Sequence, residues 1–429
     1  MKKIQTAPTL AKAEVPESRS MLEAIAREGA RCLLEAALRA EVADYIEAHD
    51  CDRDDGGHAL VVRNGVARTR RVTIGSGTLE IAAPRVDDRR IVGGEKKRFR
   101  SGILPPYLRR SKEVNELLPL LYLRGLSTSD VRPALEGLLG KAASGLSATT
   151  VTRLSATWQD EAAAWSRRSL ADVDYVYIWV DGVYFPVRLE EDRLAALVIV
   201  GVRPDGKKEL VAVQDGHRES EETWLDLLRN LKARGMEAPA VAVGDGSLGF
   251  WKAVRQVWPK TREQRCWVHK IANVLDKLPK RLQPEAKVEL HGAMYAESRS
   301  KCVELLERLA KRFDDEHPRA AASCRDDLDR LLTFFDFPAE HGKHLRTTNP
   351  IESTFATVRL RTKTTRGSGS RAAGLAMAFK LLQMAEKTWR RLDAPNLVAL
   401  VRAGAKFKDG KLVERAPTPQ SKKTRKYAA

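Results

Sequence analysis

The chain has 429 residues, and its 75 Lys and Arg against 57 Asp and Glu leave a formal net charge of +18. Basic residues are spread along the whole length, which points to a long polyanion such as DNA and away from a membrane surface. No apolar run is long enough to span a bilayer, and five scattered cysteines exclude a disulfide framework and fit a reduced compartment. A cytoplasmic protein of about two to four domains, with no membrane partner, is expected.

Residues 1–20 carry no apolar signal core and are expected to be flexible. The segment 21–110 then divides into a helix and a small β unit. From Met21 to His49 the spacing predicts one long helix, packed through Leu22, Ile25, Cys32, Leu33, Ala36, Ala40 and Ala43, with a dimer contact as the alternative. Asn64-Gly65 and Gly75-Ser76-Gly77 are predicted turns between short strands. Arg63, Arg68, Arg70 and Arg71 crowd this unit more densely than solubility requires, which suggests phosphate contact.

Residues 111–170 are helical in pattern. Glu113 to Leu123 forms one helix, and Ser127 with Asp130 opens a second as a capping box running to Leu139. After the loop GKAASG, Ser147 caps a third. The last two resemble a helix-turn-helix, with Thr149, Thr150, Thr152 and Arg153 facing DNA. An ordinary three-helix packing unit fits the same residues.

The segment 171–280 is predicted to be the first part of a catalytic core. In VDYVYIWVDGVYF, Val173 to Phe185, both faces are apolar, as in a central strand, and Asp181 is its only charge after Asp174. A buried carboxylate is costly without a partner, and a metal ion is a common one. Two strands follow, Ala195 to Pro204 and Glu209 to Arg218, joined by the polar turn RPDGKK, then a helix from Glu221 to Gly235. A short buried strand, Ala240 to Val243, runs into Gly244, Asp245 and Gly246 and a helix carrying Trp251 and Val254. Asp245 either caps that helix or is a ligand, its flanking glycines letting backbone approach the bound group. Strand, strand, strand, helix, strand, helix is a ribonuclease-H-like order, with the first and fourth strands adjacent and Asp181 beside Asp245. Arg265 to Val268 is expected as the fifth strand, with a helix after it that Pro279 ends.

Cys266 and His269 have a zinc-compatible spacing, but a structural site takes four ligands and no second pair lies near, so core packing and positioning are favoured. Residues 281–340 form an all-helical insertion. In 341–410 the core closes. Asn349 and Pro350 open a helix with Glu352 in its first turn, where it can cap, bind metal, or do both. Arg359, Arg361, Lys363 and Arg366 give that helix a basic character suited to a phosphate backbone. A closing helix runs from Leu375 to Leu392, and 411–429 is a basic, disordered tail.

Together VDGVYF, GDGSLGFWKAV, QRCWVHK with NVLDKLP, and TTNPIESTFATVRLRT make the chain resemble bacterial insertion-sequence transposases of the Mutator family, from about residue 20 to 410. The resemblance implies an α/β plus all-α chain. Its catalytic domain would be a ribonuclease-H-like mixed sheet with a helical insertion, preceded by a helical and small β DNA-binding region. It implies a catalytic triad of Asp181, Asp245 and Glu352 and gives Cys266 and His269 as a family signature. Three such carboxylates suit two Mg²⁺ ions, with Mn²⁺ able to substitute, and the chemistry is DNA cleavage at element ends followed by strand transfer. Terminal inverted repeats and target DNA are the expected partners, bound by a homodimer at least. A non-catalytic DNA-binding regulator and a ribonuclease-H-like nuclease are the competing readings.

Overall fold

The structure, a computed structural model, describes residues 17–124, 126, 133–136, 148–187, 193–216, 220–246, 248–364 and 367–413. The stretch before residue 17, Ser127 and Asp130 with the end of their helix, the loop GKAASG, Ser147, Arg366 and the tail from 414 lie outside the described residues. Two compact units divide the chain, Met1–Val151 and Thr152–Ala429.

In the first unit α1 (Glu17–Glu47) packs on a small β unit through a face other than the predicted one. Leu38 and Val42 are buried, and Leu38, with Ala30 and Leu34, packs on Val72, Leu79, Ile81 and Leu104. Met21, Leu22, Ile25 and Leu33 are exposed, as are Cys32, Ala36, Ala40 and Ala43. Two polar residues of α1 engage the β unit, which hid its packing face from an apolar count. Glu41 accepts from Ser101 and from the Gly102 amide at 2.6 Å, and the Tyr45 hydroxyl donates to Asp88 at 2.7 Å.

Strands β1 (Val61–Val66) and β4 (Pro84–Asp88) pair antiparallel, as do β2 (Arg70–Ile74) and β3 (Gly77–Ile81) around the predicted Gly75-Ser76 turn. Asn64-Gly65 is not a hairpin turn. It lies inside β1 where the register shifts, a bulge that Gly65 accommodates at φ 63°. Short β5 (Ile91–Val92) and β6 (Glu95–Lys96) follow, then α2 (Lys112–Leu123), capped by Ser111 accepting from the Val114 amide.

The second unit starts with α3 (Ala148–Ser166, its first residues belonging to unit one) and holds a five-stranded mixed sheet. β7 (Tyr177–Phe185), β8 (Leu194–Val202) and β9 (Lys208–Asp215) form an antiparallel meander, from Tyr177↔Val202 to Phe185↔Leu194 in the first pair. Every residue of β8 is buried. The chain then crosses over through α4 (Glu221–Ala233), which buries Trp224, Leu227, Leu228 and Leu231 on one stripe, each contributing about 1.5–3 kcal/mol. It returns as β10 (Val241–Gly244), parallel to β7, and after α5 (Leu248–Val257) as β11 (Arg262–Arg265), parallel to β10. The sheet order is β11-β10-β7-β8-β9, so the first and fourth strands are neighbours, as the strand pattern predicts.

The fifth strand is Arg262–Arg265 and not Arg265 to Val268, because Trp267 already opens α6 (Trp267–Leu275) with Cys266 at its N-cap. Its polar sequence has a purpose. The buried Gln264 donates to the Leu331 carbonyl at 2.9 Å and accepts from the Phe334 amide at 2.6 Å, tying the sheet edge to the insertion. Trp267 Nε1 also donates to Leu331 O, and Lys270 Nζ to Asp326 O at 2.6 Å. The insertion is helical throughout: α7 (Gln283–Met294), α8 (Arg299–Phe313), α9 (Pro318–Arg325), the short α10 (Leu328–Leu331) and a 3₁₀ turn (Thr333–Asp336). The chain closes with α11 (Ala339–Leu345), α12 (Asn349–Thr364), α13 (Arg371–Glu386), α14 (Pro395–Arg402) and a hairpin of β12 (Phe407–Lys408) and β13 (Lys411–Leu412). Among the described residues no helix is long and apolar enough to cross a membrane.

Candidate active site

Parallel pairing of β7 and β10 aligns Tyr177 with Val241 and Trp179 with Val243. Each acid stands two residues beyond the last aligned pair, Trp179 and Val243, so the parallel pairing carries Asp181 and Asp245 to the same end of the sheet. Asp181 is still within β7, whereas Asp245 has just left β10. The flanking glycines leave room for neighbouring side chains. A Cβ on Gly244 would meet Val180 at 3.0 Å, and one on Gly246 would meet the Arg265 guanidinium at 2.7 Å.

Glu352 arrives from the far side of the insertion. Trp179 Nε1 donates to His344 O at 3.1 Å and the Tyr177 hydroxyl is 2.8 Å from His341 Nδ1, so α11 is pinned on β7 and delivers Thr347 and Thr348 to the head of α12. Glu352 lies in the first turn of α12, and its Oε1 accepts a hydrogen bond from the Thr348 hydroxyl. Thr348 Oγ1 is also 3.2 Å from Cys266 Sγ. One hydroxyl proton cannot serve both, and the carboxylate is the stronger acceptor, so the thiol donates in turn to Thr348 Oγ1. The Thr348 amide donates to the same sulfur at 3.3 Å. His269 Nδ1, one helical turn after Cys266, is 3.8 Å from Glu352 Oε1, sealed from solvent and without a hydrogen bond.

Burial drives the Asp181 carboxyl up to about 7. The Gly182 amide, 2.8 Å from Oδ1, and His269 oppose the shift, while the charges of Glu352 and Asp245 add to it. His269 is pushed up to about 9, first by the neighbouring Cys266 sulfur and then by Glu352 and Asp181, against the effect of its burial. The imidazole therefore carries a positive charge at neutral pH. Asp245, Glu352 and His269 all act electrostatically on Asp181, so the three acids named from the sequence are brought near one another, with His269 beside Asp181 and Glu352. Thr348 is the member that sequence reasoning missed. Its position four residues before Glu352 is the one signal that could have found it.

The predicted DNA contacts divide. Arg63, Arg68, Thr152 and Arg153 are exposed, and Thr149 and Thr150 lie in the first turn of α3. Arg70 instead braces a loop, donating to the Leu104 and Pro105 carbonyls at 2.9 and 3.1 Å, and Arg71 pairs with Glu80 at 2.9 Å on the surface. These two arginines line a groove of about 740 Å³ with Tyr107 and Arg109, which composition alone did not single out. On α12, Arg359 and Lys363 are exposed, but Arg361 is 1% exposed. Helical spacing places it on the buried stripe with Thr354, Phe355 and Val358, so it is not a surface contact for phosphate.

Residues 1–391 match the family model described as Transposase, Mutator family. A transposase of an insertion sequence element from Mycolicibacterium smegmatis is 59% identical over 70% of this chain and 93% of its own length. Another, from Acidithiobacillus ferrooxidans, is 47% identical over 65% of this chain and 95% of its own. Similarity to a solved structure, the Drosophila P element transposase strand transfer complex, is slight: 11% identity and a TM-score of 0.22 over 68% of this chain and 91% of that one. Matched along nearly its whole length, the chain belongs to the Mutator family of transposases, and its function is DNA transposition.

Proposed function

We propose that this transposase cuts DNA at element ends and joins the freed 3′-hydroxyl to target DNA in a ribonuclease-H-like catalytic domain, using Asp181, Asp245 and Glu352 to hold divalent ions. The observation that carries this reading is the parallel pairing of β7 with β10, which brings Asp181 in β7 near Asp245 just past the end of β10, with both Asp245 and Glu352 close enough to raise the Asp181 pKa.

The donor set fits the group. Three carboxylates are hard oxygen ligands of the kind Mg²⁺ takes, with Mn²⁺ as substitute. Asp181 also bears a burial cost that a cation would offset, because its charged form is disfavoured up to about pH 7. Two bound ions would activate the attacking oxygen and neutralise the leaving one in an in-line displacement.

The chain's own residues supply the rest. Gly182 and Thr348 fix one oxygen each of Asp181 and Glu352. Positively charged His269 stands beside them to attract a phosphodiester. Arg359 and Lys363, on exposed turns further along α12, hold the DNA backbone by charge. End recognition falls to the first unit and α3, and pairing two ends needs at least two copies of the chain.

A duplex carrying the inverted repeat that flanks the gene tests this reading. Nicking and joining are expected with Mg²⁺. Binding without cleavage would mean a regulator, and cleavage without joining would mean a nuclease.

Two further outcomes are expected. Below the ordinary Asp value near 3.8 the burial penalty at Asp181 is absent, and above about 7 it is fully present, so protons compete with the cation until about pH 7. Mn²⁺ affinity should climb with pH and level off above about 7, and Asp181→Asn should flatten that profile in a calorimetric titration. Arg359→Ala and Lys363→Ala should each reduce the slope of log affinity against log salt by about one, across DNA sequences. Arg361→Ala should lower stability and leave the slope unchanged.

A further inference from the structure

We propose that Cys266, His269 and Glu352 form a binding site for a soft divalent cation of the zinc class, overlapping the catalytic carboxylates, so that its occupancy withdraws Glu352 and arrests the reaction. One sulfur, one imidazole nitrogen and one carboxylate oxygen from these residues all lie within 4.8 Å of one another. Around tetrahedral zinc, with bonds of about 2.0–2.3 Å, such atoms stand roughly 3.4–3.6 Å apart. His269 and Glu352 are at 3.8 Å already, so the site closes by side-chain movement of about 1 Å.

The donor set discriminates between metals. Sulfur and imidazole suit zinc and its neighbours, whereas Mg²⁺ asks for oxygen throughout. Three protein ligands leave a fourth position open, as in zinc sites that keep a water.

The surroundings are built for it. Cys266 is fixed by its amide on Gly244 O at 2.7 Å and by its carbonyl, which accepts from the Lys270 amide at 3.0 Å. His269 Nδ1 is buried and unbonded. When the cation binds, the Cys266 thiol proton and the proton of the His269 imidazolium both leave to solvent, and the Thr348 amide and hydroxyl both stand close enough to donate to the resulting thiolate. No second Cys/His pair is needed, because the third ligand comes from the other side of the insertion.

Binding of the cation is independent of the proposed catalytic reading; only the arrest rests on it. The test is a Co²⁺ titration of the full-length protein without DNA, with exposed Cys32 and Cys51 replaced by Ser throughout. One equivalent should give a thiolate-to-cobalt charge-transfer band that Zn²⁺ displaces. Cys266→Ser should abolish the band. Thr348→Val should weaken Co²⁺ binding at least about tenfold, Thr348→Ser should restore it, and Asp181→Asn should keep the band. Absence of the band in the parent protein, or its persistence in Cys266→Ser, overturns the site. Should Cys266→Ser fail to fold, as read by circular dichroism, Glu352→Gln decides: an unchanged Co²⁺ affinity there refutes the site. In Mg²⁺-dependent cleavage, Zn²⁺ should inhibit the parent protein, and Cys266→Ser should resist it relative to its own zinc-free rate. Cobalt binding without zinc inhibition would leave the site standing and remove Glu352 from catalysis.

Discussion

Replacing Asp181 or Asp245 by Asn, or Glu352 by Gln, should slow Mg²⁺-dependent end cleavage by at least about 10²–10³-fold, the scale of losing one preorganised charge-stabilising group. Duplex binding should stay within a few-fold, since most of the proposed phosphate contacts, Arg359 and Lys363 among them, lie away from the three acids. The effects differ in kind. Asp181→Asn also removes a buried acid pushed up to about 7, so the folded protein should become more stable at neutral and alkaline pH even as it loses activity. Loss of activity with a higher melting temperature is hard to attribute to misfolding. Strand cleavage at the parent rate in any of the three would remove that residue from the chemistry.

Trp267→Ala should destabilise the second unit by about 3–5 kcal/mol. The indole is fully buried, and its Nε1 donates to the Leu331 carbonyl, which Gln264 also holds. Truncation leaves a cavity at the joint between β11, α6 and the insertion. Urea unfolding should show the loss, and hydrogen exchange should rise first around Leu328–Asp336. A change under about 1 kcal/mol would mean that the insertion is anchored by other contacts. Such a variant should also bind metal poorly, because Cys266 and the approach to Thr348 depend on the same joint.

The five-stranded sheet is legible where its strands obey simple rules. β7 and β8 are apolar on both faces, as central strands must be, and the polar turn at Pro204-Asp205-Gly206 sets the meander. Once the order of strands and helix is read, the neighbourhood of Asp181 and Asp245 follows from topology. β11 begins three residues before the expected strand because Arg262, Glu263 and Gln264 lack an apolar strand pattern. Their partners are in the insertion, and no local pattern encodes them. The packing face of α1 departs from the apolar stripe for a similar reason, since Glu41 and Tyr45 engage the β unit alongside Leu38. Arg361 looked like one of a basic cluster, yet helical phase puts it inside. The contact of Cys266 with Thr348, which leads on to Glu352, joins residues 82 positions apart across the insertion, so no local pattern encodes it.

The central claim is that three carboxylates from β7, the end of β10 and α12 share divalent ions. Its most direct test is a Mn²⁺ titration followed by electron paramagnetic resonance, with the protein bound to an end duplex. Two tightly held ions per chain are expected, with loss of at least one in each of Asp181→Asn, Asp245→Asn and Glu352→Gln. Unchanged stoichiometry and affinity in all three variants would contradict the account.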